Sequence, residues 1–147
     1  MKRDYREFLS EILITQEQLH QRISELGRQI SLDYENSEHL VLVCILRGGV
    51  MFLTDLMREI EIPHAIEFMA VSSYGAGARE SSGQIRISHD LNTDIFDRDV
   101  ILVEDIVDSG HTLHSVLDML STRKPRSLQV CTLLDKAERR EIDVPVK

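Results

Sequence analysis

The stretch that decides the fold is Val100-Ile101-Leu102-Val103-Glu104-Asp105-Ile106-Val107-Asp108-Ser109-Gly110-His111-Thr112. The apolar run Val100 to Val103 suits a strand covered on both faces, as the strands of parallel sheets are. Glu104 and Asp105 follow as the chain leaves the core. Ligands of open α/β sheets bind at the carboxyl ends of strands, so this acidic pair is expected to face a crevice. Asp108 to Thr112 then lead directly into a helical stripe of Leu113, Val116, Leu117 and Leu120. Small hydroxyl residues around a glycine let successive N–H groups turn inward as a nest. The helix N-terminus adds a positive dipole end, and together they suit one phosphate.

Carboxylates beside a phosphate nest conflict unless the ligand carries both kinds of group. Two like charges 4 Å apart cost roughly 4 kcal/mol at an effective dielectric near 20, so the acids must avoid the phosphate or bind a metal. A sugar phosphate resolves the conflict. Glu104 and Asp105 can accept from a ribose diol, directly or through Mg²⁺, while Ser109 to Thr112 hold the 5′-phosphate. A plain strand, polar turn and helix cap would not require three acids, Ser-Gly and Thr in this order.

Working outward, strands alternate with helices. Upstream, Thr15-Gln16-Glu17-Gln18 has capping-box spacing, and Leu19, Ile23, Leu26 and Ile30 recur at helical intervals, predicting a helix from about Thr15 to Tyr34. Leu40 to Leu46 reads as a buried strand, broken by Gly48-Gly49. A helical stripe of Val50, Leu53, Leu56, Met57 and Ile60 follows, and Pro63 ends it. Ala65 to Ser73 is the next predicted strand. Residues 73–83 are rich in Ser, Gly, Ala and charge and are expected to form a mobile loop. Ile85-Arg86-Ile87 alternates as a short strand, and Leu128 to Leu134 supplies the last one. The expected fold class is α/β, a mostly parallel central sheet flanked by helices in a single domain. Met51, Met57 and Met69 lie on apolar stripes and are expected in the core.

The segment from Val100 to Thr112 resembles, over its whole length, the 5-phosphoribosyl-1-pyrophosphate motif of type I phosphoribosyltransferases. Three further segments resemble the hypoxanthine-guanine branch of that family. Leu46-Arg47-Gly48-Gly49 is similar to its pyrophosphate loop, Ser72-Ser73-Tyr74-Gly75 to its flexible lid, and Leu133 to Arg140 to the segment with its purine-recognising lysine. The resemblance covers nearly all of residues 8–147. It implies Mg²⁺-dependent transfer of a phosphoribosyl group from 5-phosphoribosyl-1-pyrophosphate to N9 of hypoxanthine or guanine.

By matched positions, Glu104 and Asp105 would hold the ribose diol and metal, and Asp108 would act as acid and base at the purine N7. Ser109, Gly110, His111 and Thr112 would hold the 5′-phosphate. Arg47, Gly48, Ser73 and Tyr74 would serve the pyrophosphate. Lys136 would donate to the exocyclic oxygen of a 6-oxopurine, which disfavours adenine. Arg139 and Arg140, in a charge run, read as a solvated face. His111 and His114 lack the ligand spacing of a metal site, and His111 is expected to act through its backbone N–H.

The resemblance also implies a C-terminal hood of a few dozen residues, bearing a stacking aromatic, a second metal carboxylate and a pyrophosphate arginine. None has a counterpart before Lys147, so weakened purine affinity and low turnover are expected.

The chain as a whole fits this reading. It has 147 residues, 42 % apolar and 29 % charged, the composition of one ordinary domain. A net charge of −8 argues against general nucleic-acid binding. It does not exclude an anionic substrate, because screening over about 8 Å at physiological salt isolates a site from distant carboxylates. No apolar run has membrane-spanning length, and the N-terminus lacks a signal-peptide core. Cys44 and Cys131 lie in apolar stretches, as reduced cytoplasmic thiols do. A homo-oligomer, dimer or tetramer, is expected by family analogy.

Two other functions share some of these features. A regulatory protein that binds phosphoribosyl compounds with little catalysis would keep the fold. A Mg²⁺-dependent phosphatase would use Asp105 or Asp108 as nucleophile, but would want a lysine or second acid cluster on another strand end.

Overall fold

The computed structural model describes residues 9–73 and 85–146. Helix α1 spans Gln16–Asp33. Its capping box is formed: the Gln18 N–H donates to Thr15 Oγ1 at 3.2 Å and the Thr15 N–H donates to Gln18 Oε1 at 2.8 Å. Strand β1 is Leu40–Leu46, helix α2 Val50–Glu59, β2 His64–Ser73 and β3 Ile85–His89. Strand β4 is Asp99–Val107, helix α3 His111–Ser121, β5 Ser127–Asp135, and a 3₁₀ turn follows at Ala137–Arg139.

The sheet order is β3-β2-β1-β4-β5. Strands β1, β2, β4 and β5 are parallel, and β3 runs antiparallel along β2. From the β1–β4 boundary the chain steps outward in opposite directions, through α2 to β2 and through α3 to β5. Right-handed crossovers then place α2 and α3 on opposite faces. The pleat sorts side chains accordingly. Leu40, Leu42 and Cys44 pack towards α1 and α2, whereas Val41, Val43 and Ile45 pack towards α3 and Ile95. This double coverage is why β1 is a continuous apolar run.

Two expectations need correction. Met51 is 74 % exposed, because it falls off the Phe52–Leu53–Leu56 stripe that buries α2. Met69 is buried and Met57 packs against the core. Strand β4 does not end at Val103. Its pairing with β5 continues to Val107↔Asp135, so Glu104 and Asp105 lie within the strand. The expected mobile loop lies, apart from Ser73, outside the described residues. Among the described residues no helix is long and apolar enough to cross a membrane.

Candidate active site

The crevice originates in the sheet register. Strands β1 and β4 pair only to Cys44↔Val103, while β4 stays paired with β5 for four more residues. Beyond Val103 the last part of β4 therefore has no neighbour on the β1 side. This is the reversal of strand order at which open α/β sheets bind ligands. A cleft of about 250 Å³ opens there, lined by Ile45, Glu104, Asp108, Ser109, Gly110 and Thr112 among others.

Glu104 lines the cleft, and Asp105 is hydrogen-bonded to it. Burial pushes the Glu104 carboxyl up to about 8, helped by its hydrogen bond to Asp105 and by that neighbour's charge. Asp105 Oδ1 accepts from the Ile106 N–H at 2.9 Å. Its carboxylate lies against Gly48, where a Cβ would sit 2.9 and 3.0 Å from the two oxygens. Any side chain at position 48 would displace the acid. Burial, and then Glu104 and Asp105, raise the thiol of Cys44 behind them to about 11, so it stays neutral. Burial likewise raises Cys131 to about 12, and both cysteines are free.

Among the described residues no lysine or arginine pairs with Glu104 or Asp105. Adjacent half-buried carboxylates without a counter-charge among the described residues fit a divalent cation. No group of three or more His, Cys, Asp and Glu is placed to hold a metal among the described residues. Two carboxylates suit Mg²⁺, which keeps several waters and takes other ligands from substrate phosphates.

The nest follows β4. Gly110 has φ +92°, a left-handed conformation that L side chains rarely adopt, and it serves as the N-cap of α3 without a side-chain cap. Among the described residues none of Ser109, Gly110, His111 and Thr112 donates its N–H to a carbonyl. These free donors sit at the positive end of the α3 dipole, an arrangement that binds an anion.

Asp108 is half-exposed beside the nest, its carboxylate 3.6 Å from Arg139 Nη1. Lys136 is exposed, and its N–H donates to the Val107 carbonyl at 2.9 Å, which seats it next to Asp108. Arg47 is exposed in the turn after β1, and the Leu46–Arg47 peptide is cis. Ser73 ends β2, and Tyr74 lies outside the described residues. The folded chain thus gathers Glu104, Asp108, Ser109, Gly110 and Thr112 in one cleft, Asp105 with Gly48 at its edge, and Lys136 alongside. The His111 side chain turns away to Glu141, with Nε2 and Oε2 2.7 Å apart.

One layer escaped the sequence reading. Arg140, expected on a solvated face, is largely buried and bonded to Asp135. Its Nε donates to the Asp108 carbonyl at 3.3 Å. Glu141 and Ile142 donate their N–H groups to the Ser109 carbonyl at 2.9 and 3.1 Å. The only signal for this layer was an arginine pair just after Lys136.

The profile of the phosphoribosyl transferase domain matches residues 11–145. The chain belongs to the phosphoribosyl transferase family. It is 49 % identical over 138 residues to the hypoxanthine phosphoribosyltransferase of Salmonella typhimurium, covering 93 % of this chain and 77 % of that one. Identity to the hypoxanthine-guanine phosphoribosyltransferase of Dictyostelium discoideum is 49 % over 140 residues, with the same coverage. The crystal structure of a Staphylococcus aureus hypoxanthine phosphoribosyltransferase superposes with a TM-score of 0.92 at 40 % identity. It is matched over 100 % of this chain and 79 % of that one. This phosphoribosyltransferase is thus an enzyme of the hypoxanthine and hypoxanthine-guanine group, with the type I fold.

Proposed function

We propose that this phosphoribosyltransferase moves the phosphoribosyl group of 5-phosphoribosyl-1-pyrophosphate to N9 of hypoxanthine or guanine, giving the nucleotide and pyrophosphate. The observation that carries this reading is the nest at Ser109 to Thr112, whose N–H groups donate to no carbonyl among the described residues, directly beside a carboxylate pair with no lysine or arginine partner among them.

The nest would bind the 5′-phosphate, and Glu104 and Asp105 would accept from the ribose hydroxyls. With the sugar held at both ends, its anomeric carbon is presented to the base, which removes much of the entropy cost of bringing the two together. Bound Mg²⁺, held by Glu104 and Asp105 directly or through water, would supply charge that stabilises the departing pyrophosphate. Arg47, exposed in the turn after β1, would offer its charge to the same pyrophosphate, and Gly48 leaves the space into which Asp105 fits. Asp108 would exchange a proton with N7 of the purine. Lys136 would donate to a 6-oxo group and would find no acceptor in a 6-amino group. Ser73 and Tyr74 would close over the pyrophosphate and exclude water. Two free, buried cysteines fit a cytoplasmic enzyme, and a dimer or tetramer is the assembly we favour.

The test is calorimetric titration with 5-phosphoribosyl-1-pyrophosphate and Mg²⁺, beside a spectrophotometric assay with hypoxanthine and guanine. Binding that disappears in Asp105→Asn, with nucleotide formed by the unaltered chain, supports the proposal. Failure to bind sinks it. Binding without nucleotide formation would keep the phosphoribosyl site and trace the low turnover to the missing hood, whereas specific RNA binding without transfer would favour the regulatory alternative.

A further inference from the structure

Three main-chain hydrogen bonds and one from the Arg140 side chain lace residues 135–142 to the end of β4 and the phosphate nest, and they have a directional consequence. In a trans peptide the C=O and the following N–H point in opposite directions. The Asp108 carbonyl accepts from Arg140 Nε at 3.3 Å, so the Ser109 N–H of the same peptide points away from the arginine. The Ser109 carbonyl accepts from the N–H groups of Glu141 and Ile142 at 2.9 and 3.1 Å, so the Gly110 N–H also points away from that segment. The cleft lined by Ser109 and Gly110 lies where both amides are free to meet an anion.

Arg140 holds this arrangement from a fixed position. Its side chain is 15 % exposed, and its guanidinium is also bonded to the carboxylate of Asp135, the last residue of β5. Its Cδ lies 3.1 Å from where a Cβ on Gly110 would be, so the stem packs flat on the nest. A planar fork serves a carboxylate and a carbonyl in two fixed directions with little freedom left to lose, which an ammonium on a flexible stem does less well.

We infer that Arg140 is a positioning residue of the phosphate nest, holding the Asp108 carbonyl outward so that the Ser109 N–H faces the 5′-phosphate. The inference rests on the proposed function and assigns Arg140 no contact with substrate. Because Asp135 and Lys136 are adjacent, the same arginine ties the base-reading segment to the phosphate-reading one.

The test compares two probes on the full chain: ribose 5-phosphate, which needs the nest, and inorganic pyrophosphate with Mg²⁺, which does not. Arg140→Lys should weaken ribose 5-phosphate about tenfold, as loss of one charge-assisted hydrogen bond does, and leave pyrophosphate unchanged. In turnover, KM for 5-phosphoribosyl-1-pyrophosphate should rise more than kcat falls. Asp135→Asn, which keeps the arginine but loosens its anchor, should give a smaller loss of the same selectivity if Arg140→Lys fails to fold. Equal losses for both probes, or none, would overturn the inference. Absence of ribose 5-phosphate binding in the unaltered chain would overturn the functional reading beneath it.

Discussion

At the amino end of β4, buried Asp99 accepts hydrogen bonds from Ser37 Oγ at 2.6 Å and Ser127 Oγ at 2.7 Å, with Arg126 Nη1 at 3.5 Å. At the carboxyl end of the same strand, Glu104 and Asp105 share a hydrogen bond, and among the described residues no lysine or arginine pairs with them. One strand therefore carries acids in two opposite conditions. Asp99 has its hydrogen bonds made by α1's exit, by β5 and by an arginine, and so fastens three elements together. The pair at the other end is held together by a shared proton, because the Glu104 carboxyl is pushed up to about 8, and a metal could take that proton's place. Buried charge with partners serves the fold, and buried charge without them marks a site.

The sharpest way to break this contrast is to exchange the consequences of the two ends. Asp105→Asn should cut kcat/KM by about a thousandfold, or ~4 kcal/mol of transition-state stabilisation, while leaving the denaturant midpoint nearly unchanged. Steady-state assays and urea unfolding on the same preparation check both halves. Asp99→Ala should do the reverse, costing roughly 2–4 kcal/mol of stability because Ser37, Ser127 and Arg126 lose their acceptor. Its folded fraction should turn over at close to the normal rate. If both variants lost activity and stability in parallel, the division between the two ends would collapse.

Glu104 sharpens the contrast further. Its carboxyl titrates at about 8 in the folded chain and near 4.5 when unfolded, so between those values the folded state binds more protons. The stability this proton confers is fully present below the unfolded value and is lost as pH rises through 8. In metal-free buffer the melting temperature should therefore fall between pH 5 and pH 9, and Glu104→Gln should flatten that fall. At pH 9 the variant should exceed the parent by about 1–2 kcal/mol, after allowance for partial exposure. A parent and variant with parallel pH profiles would place Glu104 in solvent.

Much of this was legible in the residues. The apolar runs of β1 and β5 and the capping box at Thr15 are local patterns, and each formed close to where it was expected. Met51 was misplaced because periodicity identifies a stripe but not its edges. The end of β4 was misplaced because a strand's length depends on its neighbour: β5 still pairs where β1 has stopped. Glu67 was not singled out, yet it is buried on β2 and accepts from the Asn92 N–H at 3.2 Å and from the Thr93 hydroxyl. Its partners lie far away in sequence, so no short window contains the reason for it.

By itself the sequence determined the alternation of elements, the parallel sheet and the tight turn from β4 into α3, because burial, helix capping and the geometry of Gly110 act within a few residues. Tertiary structure alone decided where the crevice opens and what orients its amides. The gap exists because β1 and β5 stop at different heights along β4. The nest faces the cleft because Arg140, Glu141 and Ile142 take its carbonyls from the other side. Both are relations between segments some thirty or more residues apart, fixed by packing and by the requirement that buried peptide groups find partners.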